Sequence, residues 1–276
     1  MILDCAGKPL DLSQPRVMGI LNVTPDSFSD GGRYTQHEQA VEQALHMQEE
    51  GAAIIDIGGE STRPGAEDVS VQEELERVIP LIEALVPVLK VPISVDTSKP
   101  EVMRAAVAAG AGMINDVCAL RREGALEAAA DMEVPVCLMH MQGEPRTMQH
   151  DPGYRDVVEE VTGFLLDQAA RCEQAGIPSQ RLLLDPGFGF GKKLEHNLSL
   201  LKHLPQLVAK GYPVLVGMSR KSMIGAVLDL PVEARLQGSV ATATLAAWMG
   251  AKVIRVHDVK ATVEAITMVA AVQGSS

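Results

Sequence analysis

The chain has 276 residues, 46% of them hydrophobic but only 3% aromatic, and a formal net charge of −12. Its length suits one barrel-sized domain of roughly 250 residues. The acidic balance excludes a general role on nucleic acid, which needs a basic face. No apolar run approaches the ~18 residues of a membrane span, and no charged leader precedes an apolar stretch at the N-terminus, so a reducing cytoplasm is the expected location. Cys5, Cys118, Cys137 and Cys172 are widely spaced and form no CxxC pair; buried free thiols are expected rather than disulfides or zinc ligands.

Short Val/Ile-rich runs alternate with longer Ala/Glu/Leu-rich amphipathic stretches along the chain. A strand at 17–23 and a helix at 38–50 are followed by a strand at 52–58, a helix at 71–89, a strand at 91–97 and a helix at 100–109. Strands at 113–117 and 134–141 come next, then a helix at 154–175, a strand at 181–187 and a helix at 195–210. A strand at 212–219, a helix at 233–249 and a strand at 252–258 complete the series. Strands alternating with helices imply right-handed βαβ units and a parallel sheet. Eight of them favour closure into an α/β (β/α)8 TIM barrel, a single domain over 1–276 with its core at about 17–272. Gly51, Gly110, Gly176, Gly211 and Gly250 fall just past helical stretches, where a residue of positive φ ends a helix.

Each apolar strand ends in polar residues: Asn22, Asp56, Asp96, Asn115 with Asp116, His140 or Gln142, Asp185, Ser219 with Arg220 and Lys221, and Arg255 with His257 and Asp258. In a barrel these ends converge on one mouth, where active sites are built. Any single Asp could instead cap the next helix, but not the whole set. Loops at 22–32 and 58–65 are too rich in turn formers for helix or strand, and long loops at a barrel mouth act as lids. A third, at 185–192, sets Phe188 and Phe190 among glycines, so either ring could stack on a flat ligand. It is not a phosphate loop, because Lys193 stands where Ser or Thr would bind Mg²⁺. Arg63, Lys221, Arg255 and His257 supply cations at the same mouth, and Ser222 opens a helix whose N–H groups favour an anion. His37, His46, His196 and His203 lie on amphipathic helices and are expected to face solvent.

The ordered segments Met18-Gly19-Ile20-Leu21-Asn22-Val23-Thr24-Pro25-Asp26-Ser27-Phe28, Gly58-Gly59-Glu60-Ser61-Thr62-Arg63-Pro64-Gly65, Ser94-Val95-Asp96-Thr97, Ile114-Asn115-Asp116, Asp185-Pro186-Gly187-Phe188-Gly189, Ser219-Arg220-Lys221-Ser222 and Arg255-Val256-His257-Asp258 resemble the dihydropteroate synthase family of pterin-binding enzymes. The resemblance runs from about residue 17 to 259. It implies condensation of a dihydropterin-methyl diphosphate with 4-aminobenzoate, in a homodimer targeted by sulfonamides. By the same resemblance Asp96, Asn115, Asp185 and Lys221 hold the pterin, with Asp56, Met139 and Phe190 as further substrate-binding candidates. Asn22 would ligate Mg²⁺ together with the diphosphate, whose remaining charge meets Arg255 and His257. Phe28, Thr62, Arg63 and Pro64 belong to loops that close over the aminobenzoate, and Ser222 takes its carboxylate. Arg63, Lys221, Arg255 and His257 are the expected catalytic group, and an SN1-like displacement is favoured because a weakly basic aromatic amine needs no strong general base. A pterin-dependent methyltransferase and a pterin-binding protein without catalysis remain as alternatives. The Ala/Met-rich stretch 239–249 is read by default as core packing, with the interface helix of that dimer as the alternative.

Overall fold

The structure, a computed structural model, describes residues 1–23, 33–61, 68–143 and 147–275. Eight parallel strands form the barrel: β3 (Arg16–Asn22), β4 (Ile54–Gly58), β5 (Ile93–Asp96), β6 (Met113–Asp116), β7 (Val136–Met139), β8 (Leu182–Asp185), β9 (Leu215–Val216) and β10 (Val253–Val256). They are hydrogen-bonded in the order β8-β7-β6-β5-β4-β3-β10-β9. A parallel bridge between Leu184 and Val214, with Leu184 N–H donating to Pro213 O at 3.0 Å, joins the two outer strands and closes the ring.

Alternation along each strand separates two cores. Val17, Leu21, Ile55, Ile57, Val95, Leu138, Leu184 and Ile254 face outward and pack with the helices. Met18, Ile54, Met113, Cys137, Leu183, Leu215 and Val253 point into the barrel. Residues of the first eleven positions, to which the alternation assigns no element, form an antiparallel hairpin of β1 (Ile2–Cys5) and β2 (Lys8–Asp11). Its Leu3, Cys5 and Leu10, with Leu12 just beyond, pack on that inner layer, so the hairpin stoppers the N-terminal end of the barrel. The opposite end is left for the polar residues, where a barrel's βα loops build sites.

The surrounding helices are α1 (Arg33–Glu49), α2 (Val71–Leu85), α3 (Pro100–Ala108), α4 (Ala125–Asp131), α5 (Val157–Gln174), α6 (Leu194–Lys202), α7 (Leu204–Val208), α8 (Ser222–Leu228), α9 (Leu236–Trp248) and α10 (Val259–Gln273). The α2 start follows from a reciprocal cap in which Ser70 and Glu73 satisfy each other's backbone N–H groups. It ends four residues before the expected boundary: Val86 keeps helical dihedrals and donates to Ile82 O, but Pro87 after it brings no N–H to continue the ladder. The stretch at 195–210 breaks into α6 and α7 at His203, beside Pro205, which brings no N–H to continue the ladder. α5 begins at Val157 rather than 154, since Asp156 accepts from the N–H groups of Val158 and Glu159. Cys5, Cys137 and Cys172 are buried free thiols, whereas Cys118 is half-buried in the turn after β6 and not in a strand. Of the four helix histidines only His46 is exposed; His37, His196 and His203 are half-buried.

Candidate active site

The strand parity that fills the barrel with methionine and leucine below brings carboxylates together above. Asp56 on β4 is registered with Ser94 on β5, and Asp96 with Asn115 on β6. All four are buried. Arg255 on β10 reaches across the barrel, its Nε donating to Asp56 Oδ2 at 2.6 Å and its Nη2 to Asp96 Oδ2 at 2.7 Å. Asn115 Nδ2 also donates to Asp56 Oδ2, at 3.1 Å. Asp56 is therefore a brace beneath the site, holding Arg255 and Asn115. Its Oδ1 and the Ser94 hydroxyl have no hydrogen-bond partner among the described residues, although both residues are fully enclosed.

Burial raises the Asp96 carboxyl to about 7; Arg255 opposes the shift, and Asp56 adds to it. Burial would lower Arg255, but Asp56 and Asp96 outweigh it and hold the guanidinium protonated. Asp185 is raised by burial and restrained chiefly by Lys221. Lys221 is lowered to about 8 by burial, with Asp185 pulling the other way. The floor is thus two carboxylates, an amide and two cations whose charges nearly balance out of water, a setting typical of functional sites.

Lys221 hangs over the loop after β8, donating to Phe188 O at 2.5 Å with its ammonium 4.6 Å from the centre of the Phe190 ring. Phe188 is fully buried and cannot stack on a ligand; the half-exposed Phe190 is the ring left for that role. Phe190 packs with Val117, Met139, Met141 and Met148, a soft apolar wall beside the polar floor. The loop demands glycine, since at Gly187 (φ 66°) an added Cβ would lie on the His140 carbonyl.

On the other side, the Ser219 hydroxyl lies 3.0 Å from His257 Nδ1 and accepts from the His257 backbone N–H at 3.2 Å. Arg220, in the left-handed region at φ 57°, turns away from the mouth and grips Asp258 through two bonds of 3.0 and 2.5 Å. That clasp ties the turn carrying Lys221 to the end of the strand carrying His257. Ser222 is exposed at the first position of α8. Asn22, half-buried at the end of β3, faces Gly58 opposite Asp96.

Besides Arg220, two further strand-end residues do not join the mouth. Asp116 instead accepts the backbone N–H groups of Cys118 and Leu120, both at 2.7 Å, and braces a turn. His140 is buried against Phe164 and Lys192, and burial lowers it to about 3, so it is neutral. Phe28, Thr62, Arg63 and Pro64 lie outside the described residues. The stem of their second segment is anchored, however: Lys99, just ahead of α3, donates to Glu60 and Glu74 at 2.5 Å each. Glu60 also accepts the Val69 N–H at 3.1 Å.

A sequence profile described as that of pterin binding enzymes matches residues 18–257. The chain belongs to this family. It is 59% identical to the dihydropteroate synthase of Escherichia coli K12, over 98% of this chain and 96% of that one. It is 55% identical to the Haemophilus influenzae dihydropteroate synthase over 95% of each. Among solved structures, a Yersinia pestis dihydropteroate synthase in complex with a sulfonamide drug superposes with a TM-score of 0.95 at 56% identity, covering 100% of both chains. A Xanthomonas albilineans dihydropteroate synthase with 4-aminobenzoic acid has a TM-score of 0.95 at 59% identity, covering 100% of this chain and 99% of that one. Another from the same organism, holding 7,8-dihydropteroate, has a TM-score of 0.91 at 56% identity, covering 100% of both.

Proposed function

We infer that the chain condenses (7,8-dihydropterin-6-yl)methyl diphosphate with 4-aminobenzoate, giving 7,8-dihydropteroate and diphosphate. The observation that carries this reading is the buried Asp96–Asn115–Asp185 floor joined to Arg255 and Lys221 in a barrel of the pterin-binding family. A pterin edge presents donors and acceptors side by side, which two carboxylates, an amide and an ammonium can meet without leaving a buried group unpaired.

Arg255 joins the two halves of the reaction. Its Nε and Nη2 are held by Asp56 and Asp96, which leaves Nη1 to face the leaving diphosphate beside His257. As the C–O bond to diphosphate breaks, negative charge grows on the phosphate oxygens and positive charge on the pterin methylene. Arg255 and His257 meet the first; the Asp96 and Asp185 carboxylates stabilise the second. The aromatic amine then forms the C–N bond and releases its proton to solvent, in an SN1-like order. Phe28, Thr62, Arg63 and Pro64 line the aminobenzoate, whose carboxylate meets the exposed hydroxyl of Ser222.

Mg²⁺ fits only as a shared ion. No group of three His, Cys, Asp or Glu side chains that could hold a metal occurs among the described residues. Asn22 offers one amide oxygen, and Mg²⁺ characteristically takes few protein ligands together with substrate phosphates and water. When bound there it would neutralise charge on the departing diphosphate. The purified chain should therefore form 7,8-dihydropteroate from the two substrates, detected chromatographically, and chelation of Mg²⁺ should abolish at least nine-tenths of the rate (about a tenfold loss). Absence of product in excess Mg²⁺ would exclude the reaction, and indifference to chelation would exclude the metal.

The functional unit is read as a homodimer in a reducing cytoplasm, the latter in keeping with four unpaired thiols. No helix among the described residues is long and apolar enough to cross a membrane. Within the stretch 239–249, α9 buries Ser239, Ala243, Ala246 and Ala247 but exposes Leu245 and Trp248. The neighbouring α10 exposes Met268 and Val272, and Gln273 on it donates to Trp248 O at 3.0 Å. Large apolar side chains clustered on adjacent helices suit a second copy of the chain. Light scattering should give twice the chain mass for the wild type and the single-chain mass for Trp248→Asp. A wild-type monomer would rule the dimer out.

A further inference from the structure

Lys192 is a buried amine with no carboxylate in hydrogen-bond contact among the described residues; burial lowers it to about 7, with Asp185 pulling the other way. It is 3% exposed, and its ammonium donates to Gly187 O at 2.8 Å, Phe190 O at 2.9 Å and His140 O at 3.3 Å, with His140 Nδ1 at 3.0 Å. Burying an ammonium is costly unless it is hydrogen-bonded throughout. Here backbone carbonyls and a neutral imidazole do that: Gly187 O and Phe190 O belong to the glycine loop at 187–191, and His140 ties that loop to the end of β7.

The same loop is held from every side. Gly187 N–H donates to Asp185 Oδ1 and Gly189 N–H to Asn197 Oδ1, each at 2.7 Å. Gln149 donates to Gly189 O, and Tyr154 to Gly191 O at 2.8 Å. Three glycines at positive φ (Gly187 66°, Gly189 85°, Gly191 61°) would leave such a segment with much freedom on its own. Only one loop carbonyl is given to the site: Phe188 O, which receives the Lys221 ammonium.

We propose that Lys192 is a positioning residue for the pterin end of the active site. Its caged ammonium fixes the loop at 187–191 so that the Phe188 carbonyl and the Phe190 ring hold Lys221 over Asp185. Lys192 does not touch substrate in this scheme. It acts through Lys221, whereas the adjacent Lys193 is exposed and pairs with Asp151.

The proposal rests on the reaction inferred above for its kinetic test, and on geometry alone for its structural one. Lys192→Met keeps the length of the side chain and removes the donors. Its KM for the pterin diphosphate should rise about tenfold, the size expected for losing one charge-assisted contact, with the KM for 4-aminobenzoate changed far less. In a Lys221→Met background the same substitution should add almost nothing, because Lys192 acts through Lys221. A merely structural role would lower the melting temperature equally in both backgrounds and affect both substrates alike, which would overturn the proposal. A crystal structure of the variant tests the geometry without turnover: Lys221 displaced from Phe188 O is expected, and Lys221 unmoved refutes it. If wild-type enzyme forms no product, the reaction falls while that structure still decides the role of Lys192. Should Lys192→Met not fold, Lys192→Gln, which retains a donor, carries both measurements with a smaller rise in KM expected.

Discussion

Replacing Arg255 with Ala is expected to lower kcat/KM for the condensation by about a thousandfold, in line with the removal of a preorganised charge partner of a leaving group. The loss should be larger than for any surface cation, because one guanidinium serves both ends of the pterin diphosphate: it fixes Asp56 and Asp96 and faces the diphosphate. The substitution also strands two buried carboxylates, and breaking a buried ion pair costs roughly 3–5 kcal/mol. Its stability deficit should depend on pH with a definite sign. The folded-state pKa of Asp96 is already raised to about 7 with Arg255 present, above the ordinary value of about 3.9. A carboxyl raised in the folded state contributes stability at low pH that is lost as pH climbs to its folded pKa, and not beyond. Without Arg255 that ceiling moves upward, so the gap in melting temperature between variant and wild type should be constant below pH 7 and widen above it. Thermal unfolding followed at about pH 6.5 and pH 8.5 reads this directly. A variant with wild-type turnover, or a gap that narrows with rising pH, contradicts the role given to Arg255.

The barrel was legible in the sequence because parallel strands covered on both faces leave long Val/Ile runs punctuated by turn glycines. Strand parity was legible too, and it separates the mouth residues from their neighbours. Asn115 and Asp116 are consecutive, as are Met139 and His140, and successive residues of a strand point to opposite faces. Only Asn115 and Met139 share the inward parity of Asp56 and Asp96, and Asp116 and His140 accordingly serve a turn and an outer pocket. What the sequence could not display is reach across the closed ring. Arg255 and Asp56 are 199 residues apart, and their contact depends on the registers of β10 with β3 and of β3 with β4. The hairpin at the start was hidden because four-residue strands carry too short an alternation to register. Lys192 and Lys193 are chemically identical neighbours. One is caged by carbonyl groups and the other is in water, and carbonyl groups leave no trace in a sequence. Lys99 hid in the same way, its two glutamates lying on separate elements.

Asp96→Asn should lower kcat/KM for the pterin diphosphate by about a hundredfold or more and remove the acid limb of its pH profile. In the wild type the Asp96 carboxyl, raised to about 7, must be ionised to accept from the pterin and to face the cationic methylene. The Lys221 amine, lowered to about 8, must keep its proton to donate. Activity therefore rises as pH climbs through about 7 and falls through about 8, a narrow bell whose limbs belong to the free enzyme when kcat/KM is plotted. The asparagine is isosteric and neutral at every pH, so it cannot generate the lower limb, while Lys221 still generates the upper one. The diphosphate of the substrate ionises in the same range but is unchanged by the substitution. An acid limb that survives in Asp96→Asn would assign it to Asp185, also raised by burial, or to the substrate, and take the ionisation of Asp96 out of the mechanism. Its disappearance, with the alkaline limb intact, would show that burial has tuned this carboxyl to change charge where the reaction uses it.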